Sequence, residues 1–165
     1  MRFLTAFLIA AAAFIPALNA QQPAASIDLP EGARELLQAK GEGAQVYTCT
    51  DTHDGPKWVL KGPDAKLLDA SGKTIGSHFA GPTWKLEDGS QVQGELMASK
   101  PSPQPNSVAW LLLRAKAGTA TGSLASVAYI RRTETHGGVP PAAACETGKT
   151  LQAGYTATYT FYAEK

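Results

Sequence analysis

Residues able to do chemistry crowd into one stretch of the chain, Gly76 to Ser90 (GSHFAGPTWKLEDGS), which holds His78, Trp84, Asp88 and Ser90. If this stretch makes two strands and a turn, Trp84 offers a flat face for stacking. His78 and Asp88 can then hydrogen-bond a ligand or pass a proton. The competing structural reading is a histidine bonded to backbone, a core tryptophan and an Asp-Gly-Ser turn. A second stretch, Arg131-Arg132-Thr-Glu-Thr-His136-Gly-Gly138, places two guanidiniums in succession. On a strand they point to opposite faces, so one meets solvent while the other turns inward or toward a cleft. An inward arginine can fork onto a carboxylate such as Asp88 or onto an anionic ligand, and an internal ion pair is the expected outcome. His78, Trp84, Asp88 and Arg132 are therefore the candidate ligand-binding residues.

Stronger catalytic readings lack their signatures. Ser90 follows Asp-Gly and has none of the G-x-S-x-G context that lifts a nucleophile onto a strained elbow. Asp88, Glu134 and Glu146 carry no spacing that marks a glycosidase pair. Of the three histidines, His53, His78 and His136, no two lie at close ligand spacing, and neither H-E-x-x-H nor H-x-H occurs. Gly137-Gly138 reads as a turn and is too short to mark an anion-binding nest. No catalytic residue, metal ligand or cofactor is assigned. Three tryptophans and five tyrosines suffice for a core plus a small platform on which a sugar could stack.

The segment Met1–Ala20 (MRFLTAFLIAAAAFIPALNA) has one cation, an apolar run from Phe3 to Ile15, a proline and small residues up to Ala20. That is the layout of a cleaved secretory signal peptide, and the run is shorter than the roughly 20 residues a bilayer core demands. Arg2 is its only charged residue, so the formal net charge of +1 falls to zero once it is removed. A neutral chain lacks the basic stripe of a nucleic-acid binder. The expectation is a secreted or periplasmic monomer with no membrane span after cleavage. Cys49 and Cys145 are the only cysteines, and an even count at an oxidising address predicts a disulfide between them. Such a bond closes a loop long enough for the chain-entropy account to assign it about 4–5 kcal/mol.

Residues 21–29 (QQPAASIDL) read as loosely ordered, and Pro30–Lys40 (PEGARELLQAK) as a short surface helix. The helix has proline at its start, glutamates early, a lysine late and Gly41 as terminator. Together, residues 21–42 form an N-terminal segment, and 43–165 a single β domain. From Gly43 the chain runs in short β-favouring segments: GAQVYTCT, PKWVLKG, AKLLDASG, KTIGSHF, PTWKLEDGSQVQGELM, VAWLLLRA, SVAYIRRTET and YTATYTFYAE. In the last, Tyr155, Ala157, Tyr159 and Phe161 alternate with threonines, the period of a half-buried strand. Asp69–Gly72 and Glu87–Ser90 read as hairpin turns. The continuous run Trp110–Leu113 fits a strand buried on both faces. The fold class is mostly β: a sandwich or closed barrel of about seven or eight short antiparallel strands with one short N-terminal helix.

A set of ordered segments extends across this domain. They are Gly43-Ala-Gln-Val-Tyr-Thr-Cys49; Trp58 with Gly62-Pro63-x-Ala65; Gly72-x-x-Ile-Gly76-x-His78-Phe79-x-Gly81-Pro82-x-Trp84; and Asp88-Gly89-Ser90-x-Val92. Then come Trp110–Leu113, Arg132 with Thr135-x-Gly137-Gly138-x-x-Pro141, and Tyr155-x-Ala157-x-Tyr159-x-Phe161-Tyr162. From about Gly43 to Tyr162 the chain resembles the secreted domain-of-unknown-function family numbered three-four-five-five in the DUF series, found in bacteria and fungi. The resemblance implies an exported, mostly-β single domain without an established activity. Some relatives have been labelled dehydrogenases, but this chain has neither G-x-G-x-x-G after a strand nor a βαβ layout. Two positions depart from the pattern: Arg131-Arg132 replaces a single arginine after a polar residue, and His136 fills a spacer. A role for His136 would therefore belong to this chain in particular.

The functional expectation is a non-catalytic binding or envelope-associated module for a small molecule or carbohydrate. One alternative is a small extracytoplasmic hydrolase or isomerase built on His78, Asp88 and Arg132. The other is a structural or surface-interaction protein.

Overall fold

The computed structural model describes residues 26–165; the expected signal peptide lies outside the described residues. Eight antiparallel strands follow one another around a closed barrel, and the last pairs with the first. They are β1 (Arg34–Thr52), β2 (Gly55–Leu68), β3 (Thr74–Phe79), β4 (Thr83–Leu86), β5 (Gln91–Lys100), β6 (Trp110–Ala115), β7 (Val127–Gly137) and β8 (Thr150–Ala163). Of the two expected architectures, the barrel is the one formed.

The N-terminal helix is not there. β1 starts at Arg34 and runs through the whole second half of the expected helix and across the boundary at 42/43. The Leu36-Leu37 pair, read as helical periodicity, sits at an irregularity where the register shifts between Glu35 and Leu37. A bulge of this kind lets two neighbouring side chains lean the same way, and both leucines pack against the barrel core. Tertiary pairing thus overrides a local helical preference. Residues 26–33 are not loose either. Ile27 is buried with Leu112, Tyr129 and Tyr162, and Leu29 and Ala33 pack beside them, so this strap covers the outer wall of β6–β8. The strap also explains Trp110–Leu113: Leu113 faces the barrel interior while Leu112 lies under the strap, which buries both faces of β6.

Two other boundaries differ from expectation. PKWVLKG and AKLLDASG are one strand, β2, in which Lys61, between Leu60 and Gly62, is the extra residue of a bulge opposite Val46/Tyr47. The long PTWKLEDGSQVQGELM run is two strands, β4 and β5, folded at the Glu87–Ser90 turn that the sequence marks. The turn at Asp69–Gly72 also forms, closed by Gly72 N–H donating to Asp69 O and Ser71 N–H to the Asp69 carboxylate.

Inside the barrel, bulk on one wall meets small residues on the other. Tyr159 and Phe161 of β8 are fully buried, and the inward positions facing them along β1 include Ala39, Gly41 and Gly43. A Cβ on Gly43 would collide with the backbone of Asp64 and Ala65, so glycine is what lets β1 and β2 approach here. Leu67, Trp84, Val92, Leu113 and Ile130 fill the rest of the apolar layer. Leu124, in a single 3-10 turn at Gly122–Leu124, is buried against this layer from the β6–β7 loop.

The Cys49–Cys145 disulfide forms, with Cα atoms 5.9 Å apart. It ties inward-facing Cys49 of β1 to the Pro/Ala-rich loop before β8. No free thiols are expected by mass spectrometry of the unreduced protein. Replacing both cysteines with serine should lower stability by about 2–4 kcal/mol in chemical denaturation, with the barrel retained.

Candidate functional site

The inward faces of β1, β3, β7 and β8 bring a polar group together at the end of the interior closed by the β5–β6 and β7–β8 loops. His78 is 2% exposed and stacks on Trp84, with ring centroids 4.4 Å apart and planes 8° from parallel. The register explains the stack, since His78 of β3 lies directly opposite Trp84 of β4. Tyr159 meets both rings edge-on, at 4.9 and 5.5 Å. His78 Nδ1 lies 2.9 Å from the Thr83 carbonyl. A carbonyl only accepts, so Nδ1 carries the proton and Nε2 is bare. Burial, reinforced by the nearby Arg132 charge, pushes the His78 pKa down to about 4, and the Thr83 bond only partly offsets this.

Arg132 points inward, as one of the two arginines was expected to, but it makes no ion pair. The ion pairs among the described residues are Lys40–Glu42, Lys57–Asp54 and Lys149–Glu146. Instead Arg132 donates through Nε and Nη2 to the single Ala109 carbonyl, at 3.0 and 2.8 Å. Around it, Tyr155 and Tyr159 share a hydroxyl contact of 3.0 Å, and Tyr47 donates to Gly138 O at 2.7 Å. Burial raises the pKa of all three phenols, and the Arg132 charge works against that rise. Buried Thr135 donates to Val108 O at 2.6 Å. The carbonyls of Val108, Ala109 and Gly138 are therefore held by side chains from inside. This end of the barrel is lidded and its interior filled.

Asp88 is elsewhere. It stands exposed in the β4–β5 turn, where its carboxylate accepts from Ser90 N–H at 2.8 Å and from Ser123 Oγ at 2.9 Å. These bonds hold its pKa below the usual carboxylate range. Ser90 is buried and accepts from Ser123 N–H at 2.8 Å, fastening the 3-10 turn. Gly122 has φ +58°, and a Cβ there would collide with Ser90 Oγ. Of the four candidates, then, the fold brings His78, Trp84 and Arg132 into one packed interior and leaves Asp88 in a turn that anchors a plug.

Open volume lies on the outside. On the outer face of β6–β7–β8–β1, a hollow of about 540 Å³ is lined by Lys40, Trp110, Glu134, His136, Thr156 and Thr158, with Pro103 and Gln104 from the β5–β6 loop also on its wall. The register sets Thr133, Thr158 and Lys40 in one row and His136, Thr156 and Glu42 in the next. Between Thr133 and His136 the β7 register slips, and Glu134 takes φ +50°. This bulge turns Thr135 into the interior while Glu134 stands outside, accepting from Thr158 Oγ1 at 2.7 Å. Four further hollows on the surface take in none of His78, Trp84, Asp88 and Arg132. Glu134 and His136 are visible in the sequence as titratable residues of the Arg131–Gly138 stretch, with nothing to tie them to Lys40 or Trp110. What joins them to Lys40 and Trp110 is a bulge and a barrel closure, neither of which leaves a local motif.

The buried histidine has a pH signature. The unfolded chain binds a proton at His78 below about pH 6.5 and the folded chain only below about 4. Stability contributed by the neutral ring is complete above pH 6.5 and is lost as pH falls toward 4, about 3 kcal/mol at most. Urea unfolding from pH 7.5 to 4 should show this loss, and His78→Phe should flatten the profile. His78→Ala should cost about 2–4 kcal/mol at neutral pH through the cavity it leaves. A pH-independent wild type would refute the assignment.

No curated protein and no solved structure matches the chain. A family model does, described as Protein of unknown function (DUF3455), over residues 30–163. That span takes in all eight strands, so the chain belongs to the DUF3455 family.

Proposed function

We propose that the protein is an exported, non-catalytic module that binds a small molecule or carbohydrate on the outer wall of a closed barrel. The observation that carries this reading is where the open volume lies. His78 and Trp84, both 2% exposed or less, are packed against each other, and the hollows, about 590 Å³ beside Asp64 and about 540 Å³ beside Trp110 among them, are outside. Both sizes fall within the roughly 300–1,000 Å³ of small-molecule sites, and the hollow beside Trp110 is the one of the two with an aromatic wall. An enzyme built on His78, Asp88 and Arg132 would need these groups around one accessible space, and Asp88 stands in an exposed turn bonded to Ser90 and Ser123. The leader-like N-terminus and the disulfide both fit an oxidising compartment. The barrel is also apolar inside and polar outside along β1 and β8, where Gln38, Lys40, Thr156 and Thr158 face out; a lipid-spanning barrel has the opposite polarity.

A surface-interaction role has one observation of its own. Leu60 of β2 and Leu96 and Met97 of β5 are exposed, on stretches that extend beyond the pairing made by the short β3–β4 hairpin.

A thermal-shift screen against sugars, organic acids, metals and nucleotides tests the binding reading without presuming a class. At a hundredfold excess over Kd, a ligand should contribute about 2.7 kcal/mol, seen as a rise of several degrees in Tm. A panel without a single stabilising compound, or turnover abolished by a conservative His78 variant, would overturn the reading.

A further inference from the structure

Resting on the binding reading above, we infer that the hollow bounded by Lys40, Trp110, Glu134 and His136 is a saccharide site for a neutral sugar chain. Its lining combines three features within one open space. Trp110 gives an aromatic wall, partly exposed, while its indole nitrogen is buried and the rest of its ring packs with the strap cluster around Leu112 and Tyr162. Thr156 and Thr158 supply hydroxyls from alternate outward positions of β8, spaced about 7 Å apart as the strand repeat dictates. Glu134, His136, Lys40 and Gln104 add a carboxylate, an imidazole, an ammonium and an amide around them.

Charge selects among ligands. Lys40 already holds Glu42 at 3.2 Å, and Glu134 adds a second carboxylate, so the site has no free positive charge with which to capture an anion. A purely apolar ligand would strip water from carboxylate, ammonium and hydroxyls without replacing their bonds. A pyranose matches both requirements: its C–H face stacks on an indole, and its ring of hydroxyls meets interleaved donors and acceptors.

Backbone geometry points the same way. Glu134 is one of only two non-glycine residues with positive φ among those described. The other, Asn106, belongs to a type that tolerates this region, whereas glutamate does not. Strain of this sort persists where the surroundings over-determine it, and it gathers at ligand sites. Here it lifts a carboxylate over the threonine row, where Thr158 already donates to one of its oxygens.

The test is a two-dimensional NMR titration of the 15N-labelled protein with cellotetraose, maltotetraose and chitotetraose, alongside trigalacturonate and citrate as anionic probes. At least one neutral oligosaccharide should shift the Trp110 indole N–H and the amides of Glu134, His136 and Thr156 together. His136→Ala should weaken that binding tenfold or more. Glu134→Gly should do the same while keeping or raising Tm, because glycine relieves the positive φ. A groove that responds to citrate or trigalacturonate and to no neutral sugar overturns the saccharide assignment and leaves the binding reading standing. Sugar-induced shifts confined to other faces, or unaltered affinity in both variants, also overturn it. The binding reading fails separately, when the thermal-shift panel has no hit.

Discussion

The pairing of β1 with β8 is the constraint on which the rest of this molecule depends. β1 is bonded to β8 from Arg34 to Thr48 and to β2 from Lys40 to Thr52, so a single long strand serves as the seam. Without it, β2 and β8 would expose unpaired edges, a standing invitation to aggregation. Closure at eight strands leaves an interior just wide enough to be filled by side chains. That width decides what the inward residues can be. Large rings on β8 require glycine and alanine on β1, and His78 has room only as a flat ring between Trp84 and Tyr159.

A filled barrel with polar residues inside must satisfy them without water. Here the acceptors come largely from backbone carbonyls: Thr83 for His78, Ala109 for Arg132, Gly138 for Tyr47 and Val108 for Thr135. Three of those carbonyls belong to the segments leading into and out of the loops at one end, so the bonds that satisfy the interior also hold its lid. Some donors are still left over. The Gln45 amide nitrogen and the Trp84 indole nitrogen are buried without partners, and Arg132 brings a positive charge with no carboxylate beside it. Burial alone makes a charged ring costly there, and the Arg132 charge adds to that cost, so His78 stays neutral far below the usual histidine range.

Much of this was legible in the chain because it is written locally. Alternation in Tyr155–Tyr162 marks which side of β8 faces inward, the Asp-x-x-Gly and Glu-Asp-Gly-Ser turns appear where they should, and the cysteines pair. The sandwich-or-barrel alternative stayed open because closure is a relation between the two ends of the chain, and no window of residues records it. The same cause explains the missing helix: Pro30–Lys40 has helical punctuation, but its hydrogen bonds are worth more as the barrel's seam. At the site, the proximity of His78 and Trp84 could be read from their spacing across a turn. Asp88 shares that stretch but points away, since a turn carboxylate is satisfied by its own neighbours, Ser90 and Ser123. That one of Arg131 and Arg132 turns inward was legible, but which one and its partner were not, because a backbone carbonyl has no sequence signature.

The bulge in β7 links the two halves of the molecule. Thr133 pairs with Thr158, and His136 with Thr156, so β7 uses one residue more than β8 over the same distance. Without that residue, strict alternation would send Glu134 into the filled interior or Thr135 out of it. With it, Thr135 stays inside and holds Val108, while Glu134 and His136 both stand on the outer wall with the threonine row. The lid and the groove thus share one insertion in one strand, and neither can be altered by a register change without disturbing the other. The closed sheet fixes the backbone positions from which Thr156, Thr158, Glu134 and His136 project, so their spacing on the outer wall is set by the same register that packs the interior.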